Sequence, residues 1–319
     1  MIWLSLRTQR TETLIAAALV ALVAAALTPS GLHMLSVYHH DGLAGCAGSA
    51  SAGGCDDLVH SFTNQFESLR NALGWLTLAP GLIGVLLAAP TILELEHETH
   101  RLAWTQSITR RRWVTSKLAT AAATAAVAAV ALIVFLTWWH GPLDRLQGRL
   151  DAGSFDSEGT VAVGYTLFAL GLGLAIGAVW RRVTPALVVA FAAYVALRVF
   201  VDTWLRQRFA APLAATWSMR QSGPDLHRAR VLTEYPSNRF GQHILLKHAG
   251  DACLRKLGGV VAAPADGHCK LARLAQYTHA VYQPASRFWL FQGIETAMFG
   301  GAALVLIAFA AWWIHERTS

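Results

Sequence analysis

Six stretches of this sequence, from 15 to 28 residues long, are mostly apolar, and lengths of about 20 let a helix cross a bilayer core. They lie at about 13–27, 71–93, 113–139, 161–180, 185–201 and 287–314. Lipid offers no hydrogen-bond partners to an open backbone, so segments of this kind span as helices. The expected fold class is therefore an all-α polytopic membrane protein with six transmembrane helices. Composition agrees, at 54% apolar and 14% charged residues. The first apolar run lacks a clear small-residue cleavage site and is followed by further spans, so it reads as a retained helix, not a signal peptide. The net charge of +7 comes from short basic clusters between apolar runs, with no basic stripe interleaved with aromatics, and this argues against nucleic acid as a partner.

Between these runs the expected organisation is as follows. Residues 1–12, with Trp3 and Leu4 opposite Arg7 and Arg10, suit an interfacial helix. Spans one to five occupy 13–201, with an outer loop at 32–70 and an inner polar island at 94–112. The first span is expected to break at Thr28, Pro29, Ser30 and Gly31. Pro80 lies inside the second span, where it implies a kink that either packs or hinges. Residues 140–160 read as a polar loop, and 202–286 as a large outer segment. The last span and its tail fill 287–319. In the fourth span, Gly173 and Gly177 form a GxxxG pair that permits close helix packing within or between subunits.

Orientation follows from the short loops. Arg7, Arg10, Arg101, Arg110, Arg111, Arg112, Lys117, Arg181, Arg182 and Arg317 fall on one side, against Arg70, Arg145 and Arg149 on the other. The side with ten is the cytoplasmic one, and it holds both termini and the island of a plasma-membrane protein. All four cysteines fall in the segments expected outside, where disulfides persist. Four cysteines allow three pairings. The local pairs, Cys46 with Cys55 and Cys253 with Cys269, are the expected staples of two loops with little core of their own.

Candidate chemistry is sparse. His97, Glu98 and His100 superficially resemble a zinc-protease helix, but HExH is one residue short of the HExxH that sets two histidines on one face around a glutamate base. His39, His40 and Asp41 lack a partner at a ligand spacing. No metal or cofactor site is expected in this chain. It contains no GxxxxGK[ST], so it is not itself a P-loop ATPase. Two charges stand at membrane depth, where they are costly unless paired or facing water. Arg198 either snorkels or pairs with Asp202 four residues on. Glu295 has no local partner and is expected to face the bundle interior or a wet cavity near Arg198.

The island itself, Glu94 to Lys117, carries a specific motif. Glu94, Glu96, Thr99, His100, Arg101, Leu102, Ala103, Trp104, Thr105, Gln106, Ser107, Arg110, Trp113 and Lys117 follow a pattern like E-x-E-x-GTHRLAWTQS-x-x-R-x-x-W-x-x-x-K. In this the chain resembles the permease subunits of type 2 ABC exporters, and most of all the six-span permeases of high-GC Gram-positive bacteria. The likeness extends to WLSLRTQR at the start, to the Arg181-Arg182 turn with Pro185, and to YQPASRFW leading into Glu295. One position departs: Glu98 stands where the family usually carries a glycine.

The resemblance implies that the island is a cytoplasmic coupling helix. It would dock on a separate ATPase through Glu94, Glu96, Thr99, Arg101, Trp104, Gln106, Arg110, Arg111, Arg112 and Lys117. It also implies two copies of that ATPase, which hold ATP and Mg, and a second permease copy or paralogue. The function so implied is efflux of a lipophilic, drug-like, peptide or lipid substrate, as in multidrug resistance. A sensor or assembly subunit that moves nothing, and a membrane-embedded enzyme, are the alternatives.

Overall fold

A computed structural model describes residues 10–48, 55–98, 109–150, 152–218, 223–224, 226, 228–243 and 277–317. Most of the interfacial helix, the island residues Thr99, Arg101, Trp104 and Gln106, and Cys253 with Cys269 lie outside these. The described chain is mostly helical, and six of its helices are long and apolar enough to cross a membrane. It divides into two units: residues 1–146, 151–209 and 288–319 form the first, and 147–150 with 210–287 form the second.

In the first unit, α1 (Arg10–His40) is followed by a 3₁₀ turn (Leu43–Gly48) and by α2 (Cys55–Leu73). The expected break at Thr28–Gly31 does not occur; α1 runs through Pro29. The hydroxyl of Thr28 donates to Ala24 O, and that of Ser30 donates to Leu27 O while accepting from Trp139 Nε1 at 3.1 Å, so polar groups near the proline are used within the bundle. The 32–70 segment is likewise helical in large part. In α2, Phe62 and Phe66 are buried and Tyr38 packs edge-on to Phe62, an amphipathic pattern hidden by the segment's overall polarity. Cys46 and Cys55 form a disulfide with Cα atoms 5.6 Å apart.

Next comes α3 (Ala79–Glu96), entered through a 3₁₀ turn (Gly74–Leu78). Pro80 therefore sits in the first helical turn, where its missing N–H has no partner to lose, and the interior proline is Pro90. Helix α4 (Arg110–Gln147) buries Leu118, Ala121, Ala125, Ala128 and Leu132, a three-and-four spacing that draws one stripe down the helix. It also continues past Trp139, through Pro142. The short α5 (Ala152–Ser157) leads into α6 (Val161–Trp180), then α7 (Val183–Phe200) and, closing the unit, α8 (Phe288–Arg317).

Helix α6 is the centre of this unit, and glycine is why. A methyl group at Gly84 would strike Thr166 O, one at Gly173 would strike Ala88, and one at Gly177 would strike Ile92, so α3 and α6 approach along matching positions in parallel. The Gly173 and Gly177 pair thus packs inside the chain. Gly164 and Gly171 face α8 instead, beside Thr296 and Ala303.

The second unit falls mostly within 202–286, read from the sequence only as a large outer segment, and adds strands to a mostly helical chain. It holds an antiparallel sheet of order β1-β3-β2, from β1 (Leu213–Ser218), β2 (Arg230–Ser237) and β3 (Tyr277–Gln283), with a register shift between Val231 and Thr233. Gln283 Nε2 donates to Ala210 O at 2.8 Å, and Arg287 donates to Ala211 O at 2.5 Å.

Candidate functional site

Two polar regions stand out in the first unit, one at each end of its helices. The first begins with Arg198, in the last turn of α7. Arg206 lies eight positions on, and an α-helix would carry it about 80° round from Arg198. A π-helical turn at Val201–Leu205 winds more slowly and offsets that drift. Both guanidinium groups consequently point inward, Arg198 at 5% and Arg206 at 2% exposure.

Their partners come from four other places in the chain and from Asp202 between them. Asp156, on α5, accepts from Arg198 Nη2 and from Arg206 Nη2, each at 2.5 Å. Glu295, on α8, takes Arg206 in a two-pronged grip, Nε to Oε2 and Nη2 to Oε1, both at 3.0 Å. Asp202 accepts from Arg206 Nη1 at 2.5 Å. The Tyr165 hydroxyl of α6 donates to Glu295 Oε1 and lies 3.2 Å from Asp156 Oδ1. Arg198 also donates to Thr77 O, and the Tyr165 ring lies under its guanidinium at 4.5 Å. Three carboxylates meet two guanidinium groups, and the excess negative charge falls toward Asp202, whose side chain is 29% exposed.

One turn before Glu295, Gln292 is fully buried. Its Oε1 accepts from Val161 N at 2.9 Å, the first-turn amide of α6, and its Nε2 donates to Phe155 O and Glu158 O. Helix α8 therefore clamps α5 and the start of α6 with two side chains. The arrangement ties four helical elements by charge-assisted hydrogen bonds around a desolvated centre.

Glu295 is buried and faces inward, but its cationic partner is Arg206; Arg198 adjoins it through Asp156 with Arg206 and through Tyr165. The expected pairing of Arg198 with Asp202 is replaced: Asp202 serves Arg206. Asp156, Arg206 and Gln292 escaped the sequence reading. The first two lie in stretches that look like loops, and the one available signal was the polar pair Gln292 and Glu295, three residues apart in an apolar span.

At the other end lie the flanks of the island. Glu94 Oε1 accepts from Lys117 Nζ at 2.5 Å, tying α3 to α4. Glu96 Oε2 accepts from Val183 N at 2.8 Å, so a carboxylate meets the positive N-terminal end of α7. Arg181 Nη2 donates to Arg317 O at 2.9 Å. Glu94, Glu96 and Lys117 thus have partners in their own chain. Arg110, Arg111 and Arg112 are exposed at the start of α4, as are His97 and Glu98 at the end of α3.

Glu98 takes a left-handed backbone, φ +54°, just past the C-cap of α3. That is the position where helices most often end in glycine, since a Cβ is penalised there. Glu98 takes this conformation in the place of a glycine.

A family model described as ABC-2 membrane transporter related matches residues 17–206. No curated protein and no solved structure matches the chain. The matched residues run from the first apolar helix to Arg206 of the ionic cluster and make up more than half of the sequence, so the chain belongs to the ABC-2 membrane transporter related family.

Proposed function

We propose that this chain is the membrane-spanning subunit of an ATP-driven exporter, working with separate ABC ATPase subunits. The observation that carries the reading is the family match across the first five apolar helices and the island between α3 and α4. In this reading the island faces the cytoplasm and Arg110, Arg111 and Arg112 meet the ATPase. Two six-span subunits, identical or paralogous, sit over two ATPases that bind ATP and Mg. ATP binding closes the ATPases and pushes on the island, and α3 and α4 carry the displacement into the bundle because Glu94 and Lys117 join them at its base. The substrate is lipophilic: a drug-like molecule, a peptide or a lipid.

The test uses the permease co-purified with its ATPase and reconstituted in vesicles. Substrate should stimulate ATP hydrolysis and move across the membrane. Reversing Arg110, Arg111 and Arg112 to glutamate should leave the spans folded and hydrolysis uncoupled from transport. Normal export by that triple variant would refute the docking role, and hydrolysis that no substrate stimulates would favour a sensor or assembly subunit.

A further inference from the structure

The three arginines at the start of α4 do not share one setting. Arg111 lines a cavity of about 340 Å³ between α4 and α8, together with Val114, Thr115, Ala311, Trp312 and His315. Arg110 and Arg112 do not line it. Successive helical residues point about 100° apart: Arg110 is a neighbour of Val114 and Arg112 of Thr115, but Arg111 alone of the three lies three and four positions before both.

The walls are sorted by chemistry. Arg111 and His315 stand nearest the helix ends, and Val114, Ala311 and the half-exposed Trp312 ring continue along the helices as apolar surface. The Thr115 hydroxyl donates to Arg111 O at 2.9 Å, so its proton is already used. The carboxylate near the rim is Glu316, 3.4 Å from His315 Nδ1. Both helices are candidate spans that end here, which puts the cavity at the depth of a headgroup layer, where tryptophan and basic side chains concentrate.

We propose that this cavity is a binding site for one anionic phospholipid. Its phosphate pairs with the Arg111 guanidinium at the positive N-terminal end of α4, and its acyl chain lies along Val114, Ala311 and Trp312. Charge complementarity selects this occupant: an apolar wall alone would accept any lipid, and an arginine alone would accept free phosphate. The proposal rests on the membrane-subunit reading but needs no ATPase.

The experiment uses the full chain in detergent without its ATPase, with lipid binding counted by native mass spectrometry. Phosphatidylglycerol, phosphatidylcholine and inorganic phosphate are titrated separately. One phosphatidylglycerol should be retained, with phosphatidylcholine and phosphate bound more weakly. Arg111→Gln should weaken phosphatidylglycerol about fivefold, the worth of one arginine at a lipid surface. Arg110→Gln and Arg112→Gln should each change it less. Ala311→Leu, which narrows the apolar wall, should reduce retention with all arginines in place. Equal retention of the two lipids, equal effects of the three arginine variants, or binding of inorganic phosphate as tight as of phosphatidylglycerol would each overturn the proposal. Lipid at Arg111 leaves Arg110 and Arg112 to meet the ATPase; because no ATPase is present in this test, a failure here leaves the coupling reading standing with all three arginines, and a failure of coupling leaves this one.

Discussion

At one end of the bundle Arg206 meets Asp156, Glu295 and Asp202 with 2% of its side chain exposed and none of that of Glu295. At the other, Glu94 holds Lys117 with a quarter of its own side chain open to solvent. Both regions use carboxylates and cations to join helices distant in sequence. Their energetics differ because the centre of the first is buried, with Asp202 alone of its three carboxylates partly exposed, whereas the second keeps one of its two partners at the surface. A desolvated charge that loses its partner has nothing to replace it, whereas a rim charge is rehydrated. The first region accordingly acts as a fixed joint among α5, α6, α7 and α8. The second is a lighter tie beside an exposed basic flank, the better placed of the two to yield when something pushes on it.

The contrast is broken most directly at Glu295. Glu295→Gln weakens two charge-assisted bonds to Arg206, which keeps Asp156 and Asp202, and should cost about 3 kcal/mol, seen as a large fall in the melting temperature of the detergent-solubilised protein. Asp202→Asn, at the 29% exposed edge of the same cluster, should cost about 1 kcal/mol or less. Equal losses would mean that burial does not separate core from edge.

A smaller effect is expected at the Glu94 and Lys117 tie, with an asymmetry that follows from exposure. Glu94→Gln removes the negative charge beside a lysine whose side chain is 7% exposed, and should cost about 1–3 kcal/mol. Lys117→Met leaves only the wetter carboxylate, and should cost less. The reverse order in thermal melts would show that Glu94 is the more deeply desolvated partner.

The smallest change is a gain. Glu98→Gly relieves a left-handed backbone at the end of α3, offset in part by the greater freedom of glycine in the unfolded chain, and should stabilise by about 0.5–1 kcal/mol. An unchanged or lower melting temperature would show that Glu98 is held by its side chain and not merely tolerated.

Much of the architecture was legible beforehand. Apolar runs of the right length located six helices, and the small residues Gly173 and Gly177 marked the face on which α6 meets α3. An unpartnered carboxylate in an apolar span marked Glu295 as inward-facing. Local signals misled where context reversed them. Pro29 did not end α1, and Pro80 fell in a first turn where it distorts nothing. The polar composition of 140–160 concealed a buried α5, and that of 202–286 concealed a sheet.

What the sequence by itself determined, then, is what depends on transfer between water and lipid: which segments span, which flank is basic, and that a buried charge needs a partner. Only the tertiary structure decided which partner. Arg206 reaches Asp156 across 50 positions and Glu295 across 89, and Glu96 caps a helix that begins 87 residues later. Hydropathy sums over neighbours in the chain, and a short α5 that carries the inward Asp156 near its end, with Glu158 just beyond it, looks polar in any such sum. Burial of Asp156 is favourable only once α6, α7 and α8 have brought two guanidinium groups and a tyrosine hydroxyl within hydrogen-bond reach, and that is a property of the assembled helices.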